Sequence, residues 1–133
     1  MNGSCKCGNI SYATGNPLQV VNCHCNLCRS INGSAFSSYV VTSLAEFKVE
    51  QGEHLLRGYA ATDHSVKHFC VTCGTPLYNI NPVRYPGLAM IYFGTLESHE
   101  KLSPGINIYC SSKMNWVDSL PSIRSFDEAP QRA

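Results

Sequence analysis

Charge is scarce in this sequence. Of 133 residues only 14% are Asp, Glu, Lys or Arg, and the formal net charge is +1. The ten cations are scattered, with no Lys/Arg run, so neither a nucleic acid nor an anionic membrane surface has an electrostatic claim on the chain. Long apolar runs are missing too. The longest, LAMIYF at 88–93, is far too short to span a bilayer. The opening MNGSCKC has neither the basic segment nor the apolar stretch of a secretory signal, so a cytoplasmic protein is expected. Helical periodicity is almost absent, which excludes a helix bundle. Disorder is excluded as well, because 44% of the residues are apolar. A chain of this length forms one domain that buries roughly two-thirds of its unfolded surface, so no metal is needed merely to make it fold.

What is present is turn punctuation and β-rich segments. ISYA (10–13), LQVV (18–21), AFSSYVVT (35–42), EFKVE (46–50), VKHFC (66–70), LAMIYF (88–93) and INIYC (106–110) alternate or carry β-branched and aromatic residues. GNP, QGE, NPVRYPG and SPG separate them as turns or loops. Only NLCRSIN and the stretch around LESHEK suit a helical turn. The pattern predicts a mostly β fold of short, largely antiparallel strands in a folded sheet or sandwich. No repeat or linker divides the chain: residues 1–126 form one domain, and DEAPQRA at 127–133 is a polar tail expected to fray.

Eight cysteines stand out. In a reducing compartment they serve as metal ligands or nucleophiles more readily than as disulfides. Cys5 and Cys7 form CKCG; Cys70 and Cys73 form CVTCG. The glycine closing each motif, Gly8 or Gly74, can take a positive φ without steric cost and turn backbone N–H groups toward the sulfurs. An extended CxC also points both side chains the same way. Two such pairs, far apart in sequence, predict a closed four-thiolate zinc site tying the N-terminal strand to the middle of the chain. Iron also suits four sulfurs.

CHCNLC at 23–28 is different. Three thiols lie within six residues, and the next residue is Arg29 instead of glycine. Three thiolates outweigh the charge of one divalent ion, so a nearby cation such as Arg29 helps. His24 faces away from the two sulfurs flanking it and reads as a hydrogen-bonded structural residue. Cys110 is the one candidate fourth ligand. It shares a strand face with Ile106 and Ile108, which reads as a small core residue. The expectation is a second zinc on Cys23, Cys25 and Cys28, with an open fourth position and hence more labile. Phe36, Tyr39, Tyr92 and Phe93 can line a pocket but sit at strand positions typical of core, and Trp116 is expected to pack.

GSCKCGNISY (3–12), CHCNLCRSINGSAF (23–36), HFCVTCGTPL (68–77) and IYCSSKMNW (108–116) together resemble the glutathione-dependent formaldehyde-activating enzyme family, including its centromere protein V-like members. The resemblance implies a complex, tent-like β architecture around a structural zinc on Cys5, Cys7, Cys70 and Cys73. It also implies a second zinc on Cys23, Cys25 and Cys28, where a substrate thiol acts. The activity implied is that of a carbon–sulfur lyase of the S-(hydroxymethyl)glutathione synthase kind. A thiol such as glutathione, held as thiolate on the catalytic cysteines' zinc, adds to formaldehyde or another small aldehyde. Arg29 and Lys113 are candidate anchors for the substrate's carboxylates. The alternatives are a zinc-binding module that captures thiols without turnover, and a structural domain with two closed zinc sites that mediates protein interactions.

Overall fold

Burial along SSYVVTS at 37–43 shows how the domain is built. Tyr39 is covered on one side of this strand and Val40 and Thr42 on the other, so it lies in the middle of the fold with protein on both faces. The computed structural model describes residues 1–131. Ten strands and one α-helix follow in order: β1 (Asn2–Ser4), β2 (Ser11–Ala13), β3 (Gln19–Cys23), α1 (Asn26–Asn32), β4 (Ser37–Ser43), β5 (Lys48–Gln51), β6 (Leu56–Ala60), β7 (Val66–Cys70), β8 (Pro76–Ile80), β9 (Leu88–Tyr92) and β10 (Ile106–Ile108). A seven-stranded sheet runs β10-β3-β4-β9-β8-β7-β6, and a three-stranded sheet runs β1-β2-β5. The fold is mostly β, and every pairing is antiparallel except β10 with β3.

Alternation sorts the large sheet's side chains onto two faces. Val20, Val40, Ala89 and Ile91 meet Ile10 and Tyr12 of the N-terminal segment, with Phe47 and Val49 of the β5 region packed against them; this is the main core. Val21, Cys23, Tyr39 and Tyr92 point to the opposite side and gather Cys25, Cys28, Val41, Met90 and Ile108 into a second cluster. Burying each core aliphatic stabilises by about 1.5–3 kcal/mol. The second face, which is only partly covered, carries the candidate site.

NLCRSIN is the expected helical turn, α1, whereas LESHEK makes only a turn, closed by Leu102 N–H on His99 O at 2.9 Å. Sequence reading missed β1, β6 and β8. NGS at β1 holds no β-branched or aromatic residue. LRGYA lies at a sheet edge, where arginine and glycine are tolerated, and PLYNI starts on a proline. Cys110 is a correction. The strand ends at Ile108, Tyr109 takes φ 57° and ψ 41°, and Cys110 begins a 3-10 turn, exposed and outside both cores. Trp116 is also exposed, at 47%, in the 3-10 stretch Asn115–Ser122. Phe36 packs on the His24 ring, and Phe93 against the main core. Of the tail expected to fray, 127–131 is solvent-exposed, and Arg132 and Ala133 lie outside the described residues. Among the described residues no helix is long and apolar enough to cross a membrane.

Candidate metal centres and cavity

The four sulfurs of Cys5, Cys7, Cys70 and Cys73 lie within 4.8 Å of one another where β1 and β7 end. Cys5 and Cys7 sit in a turn and not in a strand, so the turn brings their sulfurs to 3.5 Å, not alternation. Cys7 and Cys70 sulfurs are 3.9 Å apart. A tetrahedron with metal–sulfur bonds of about 2.3 Å has edges of about 3.8 Å. Gly8 and Gly74 have φ 78° and 75°, as the two motifs require, and each donates its N–H to the carbonyl of the first cysteine in its pair. Ile10 N–H donates to the Cys5 sulfur at 3.3 Å, and the Thr75 hydroxyl and N–H draw the Cys73 thiol down to about 5. Cys5 and Cys70 are buried and belong to the main core; Cys7 and Cys73 are exposed.

The sulfurs of Cys23, Cys25 and Cys28 form the second such group, also within 4.8 Å. Cys23 ends β3 and Cys25 is the N-cap of α1, its sulfur accepting the N–H of Cys28 at 3.2 Å as a capping serine would. Seven residues are too few for a stable free helix, so α1 depends on this cap and on Gly33, left-handed at its C-terminus. Below the cluster lies a polar network inside the second core. The Tyr39 hydroxyl accepts from Asn79 Nδ2 at 3.1 Å and Asn32 Nδ2 at 3.4 Å. Its own proton is left for the Cys28 sulfur, 3.3 Å away. Tyr92 shares its one hydroxyl proton between the carbonyl oxygens of the same two asparagines, the shorter contact being to Asn32 at 2.8 Å. His24 is 1% exposed, is hydrogen-bonded through Nε2 to Asn107, and stands outside the sulfur group, as a structural histidine should.

The three-cysteine cluster faces a cavity of about 730 Å³, floored by the second face of the large sheet. Neither proposed anchor lines it. Arg29 donates to the Ser112 carbonyl and to Asn26, fastening the 109–113 segment onto α1, and Ser112 Oγ donates to the His24 carbonyl at 2.8 Å. Lys113 pairs with Asp118 at 2.8 Å, on the surface. The cavity's cation is Arg84, in the loop between β8 and β9, accompanied by Tyr85 and by Tyr109 from the end of β10. Sequence reading missed Arg84 and Tyr85 because NPVRYPG looks like any loop, and only the pairing of β8 with β9 sets it over the site; Tyr109 was missed because INIYC reads as continuous strand. Of the four candidate aromatics, only Tyr39 lines the cavity.

Both groups can hold a metal ion, and all-sulfur donor sets are compatible with zinc. In the three-cysteine group the hydrogen bond between Cys23 and Cys28 pulls the Cys23 thiol down and pushes Cys28 well up. Sharing a proton is the most that such a set manages alone, whereas a divalent cation lets all three ionise. A solved protein from Rhodobacter sphaeroides shares the fold, with TM-score 0.61 at 22% identity over 78% of this chain and 92% of that one. The family model described as glutathione-dependent formaldehyde-activating enzyme matches residues 1–112, a span that takes in both sulfur groups and the cavity. The chain belongs to the glutathione-dependent formaldehyde-activating enzyme family.

Proposed function

We propose that the protein is a zinc-dependent carbon–sulfur lyase that joins a small aldehyde to a thiol and cleaves the adduct again. The observation that carries this reading is that three sulfurs, and not four, converge at the wall of a cavity large enough for a substrate. Zinc on Cys23, Cys25 and Cys28 would supply a fourth position that lowers a thiol's pKa and holds it as thiolate. The substrate's sulfur adds to the carbonyl carbon of formaldehyde or a similar aldehyde, one carbon–sulfur bond forms, and the former carbonyl oxygen takes a proton. The product is a hemithioacetal, S-(hydroxymethyl)glutathione where the thiol is glutathione. In reverse the hydroxyl loses its proton and the same bond breaks.

The chain's own residues hold the site in shape. Tyr39 donates to the Cys28 sulfur and spreads part of its negative charge into a buried network. The apolar floor borders the approach to the sulfur cluster. Cys5, Cys7, Cys70 and Cys73 would hold a second zinc with a purely structural role, clamping the small sheet to the large one.

The test is exchange spectroscopy by NMR on formaldehyde mixed with glutathione, with and without protein. Interconversion should quicken with the zinc-loaded protein and return to the uncatalysed rate in Cys25→Ser. Binding of the thiol without faster exchange would instead mark a capture module.

A further inference from the structure

The cavity's walls and charges differ from what a charged tripeptide needs. Building on the thiol chemistry above, we propose that its preferred substrate is an apolar thiol bearing a single anionic group, with Arg84 binding the anion. Val21, Val41, Met90, Ile106 and Ile108 cover the floor across four neighbouring strands: Ile106 pairs with Val21, and Val41 with Met90. Among the lining residues Arg84 is the only formally charged side chain besides the thiols, and no carboxylate lines the cavity. Glutathione carries two carboxylates and an ammonium group. The cavity has one cation for the first two and no anion for the third. Its peptide groups would lie over a largely aliphatic floor, with polar partners only at side chains such as Gln19, Thr62, Ser65 and Asn81. The volume, about 730 Å³, admits either molecule, so polarity decides and not size.

Arg84 is prepared for the task. Its Nε donates to the Tyr85 hydroxyl at 3.2 Å, and its guanidinium lies 5.8 Å and 5.5 Å from the Tyr85 and Tyr109 ring centres. The two phenols hydrogen-bond to each other at 3.0 Å and form a platform under it. The loop is pinned in turn, because Asn81 Oδ1 accepts the N–H groups of Val83 and Arg84. The side-chain hydrogen bonds of Arg84 run to these two phenols, which leaves the outer edge of the fork for a carboxylate.

The experiment titrates zinc-loaded protein, with methyl-labelled methionines, and follows the Met90 signal at the cavity floor. The probes lack a free thiol, so recognition is read apart from thiol chemistry: 3-phenylpropanoate, its neutral amide, and S-methylglutathione. The acid should bind about fivefold tighter than the amide, the size of an exposed ion pair. In Arg84→Gln the two should bind alike, and S-methylglutathione should bind more weakly than the acid to either protein. An acid–amide ratio that persists in Arg84→Gln overturns the assignment of the anion site. S-Methylglutathione binding as tightly as the acid, or a Met90 signal unmoved by every probe, overturns the proposal outright. The ratio in unmodified protein tests the anion preference even if the variant folds poorly. Formaldehyde exchange is measured in parallel with 2-mercapto-3-phenylpropanoate. If no thiol is turned over while the acid still binds through Arg84, the lyase reading fails and this recognition stands.

Discussion

Tyr39→Phe removes one oxygen from the buried network beneath the three-cysteine cluster, and its cost can be counted. Tyr39 is 3% exposed, and its hydroxyl makes three contacts: two accepted from Asn79 and Asn32, and one donated to the Cys28 sulfur. The ring stays, so its edge-on packing against Tyr92 at 5.0 Å survives. Each lost hydrogen bond costs about 1 kcal/mol net, and the 3.4 Å contact costs less, so the sum is about 2–3 kcal/mol. For a chain of this length that lowers Tm by roughly 6–12 °C. A second effect falls on metal retention. Removing a hydrogen bond from outside a ligand thiolate weakens affinity by about 10–100-fold. Melting curves, together with zinc release to a colorimetric chelator, measure both. Tyr92→Phe is the control: it breaks bonds to the same asparagines, at 2.8 and 3.1 Å, but none to a sulfur. It should melt early and keep its zinc. If both variants release zinc at the unmodified rate, or both lose it equally, Tyr39 does not act on Cys28, and the network is only packing.

Cys70 is fully buried where the main core meets the four-sulfur group, so Cys70→Ser should lose one metal equivalent and melt early or precipitate; elemental analysis and calorimetry report both. Cys110→Ala should change stability by no more than about 0.5 kcal/mol and leave the zinc count unaltered, because the residue is exposed and outside both sulfur groups. Burial pushes the Tyr12 phenol up to about 12 from its ordinary 10.0. The folded state therefore binds that proton more tightly than the unfolded chain. The resulting stabilisation, about 2–3 kcal/mol, is complete below pH 10 and lost as pH rises to 12. Plotting Tm against pH for the unmodified protein and Tyr12→Phe should show a steeper alkaline fall in the former.

The sulfur groups were legible because ligand chemistry is local: two glycine-closed pairs and one CHCNLC announce themselves by spacing alone. Even there the geometry behind the reading differed, since the CKC thiols converge through a turn and not through strand alternation. Strands with clear alternation, such as β4 and β9, were found to within two residues at each end. Those missed, β1, β6 and β8, carry a weak signal because NGS lacks strand-favouring residues and an edge position or a starting proline relaxes what a strand demands. The substrate face was legible only in part. Arg29 follows the cluster in sequence yet is spent on the Ser112 carbonyl, while Arg84 is brought to the cavity by a strand pairing between segments with no shared motif.

Cys110 shows how one backbone torsion changes what the sulfur cluster can be. In the parallel pairing of β10 with β3, Asn107 stands beside Asn22 and Ile108 beside Cys23. Had the strand continued in register, residue 110 would have stood beside Cys25, a fourth sulfur next to the other three. Tyr109 prevents this by taking φ 57°, the only positive φ at a non-glycine residue among the described ones. That conformation costs an ordinary side chain about 1–2 kcal/mol, and no sequence pattern announces it. It is held on both sides: Ser112 donates its N–H to the Tyr109 carbonyl, and the Tyr85 hydroxyl meets the Tyr109 hydroxyl. The same turn points Cys110 toward solvent and makes the Tyr109 ring a wall of the cavity. Strained residues cluster at ligand clamps, and this one is kept by several contacts at the rim of the cavity. Here it has a definite consequence: the group at the cavity stays at three sulfurs, and an aromatic wall stands where the register would have brought a thiol.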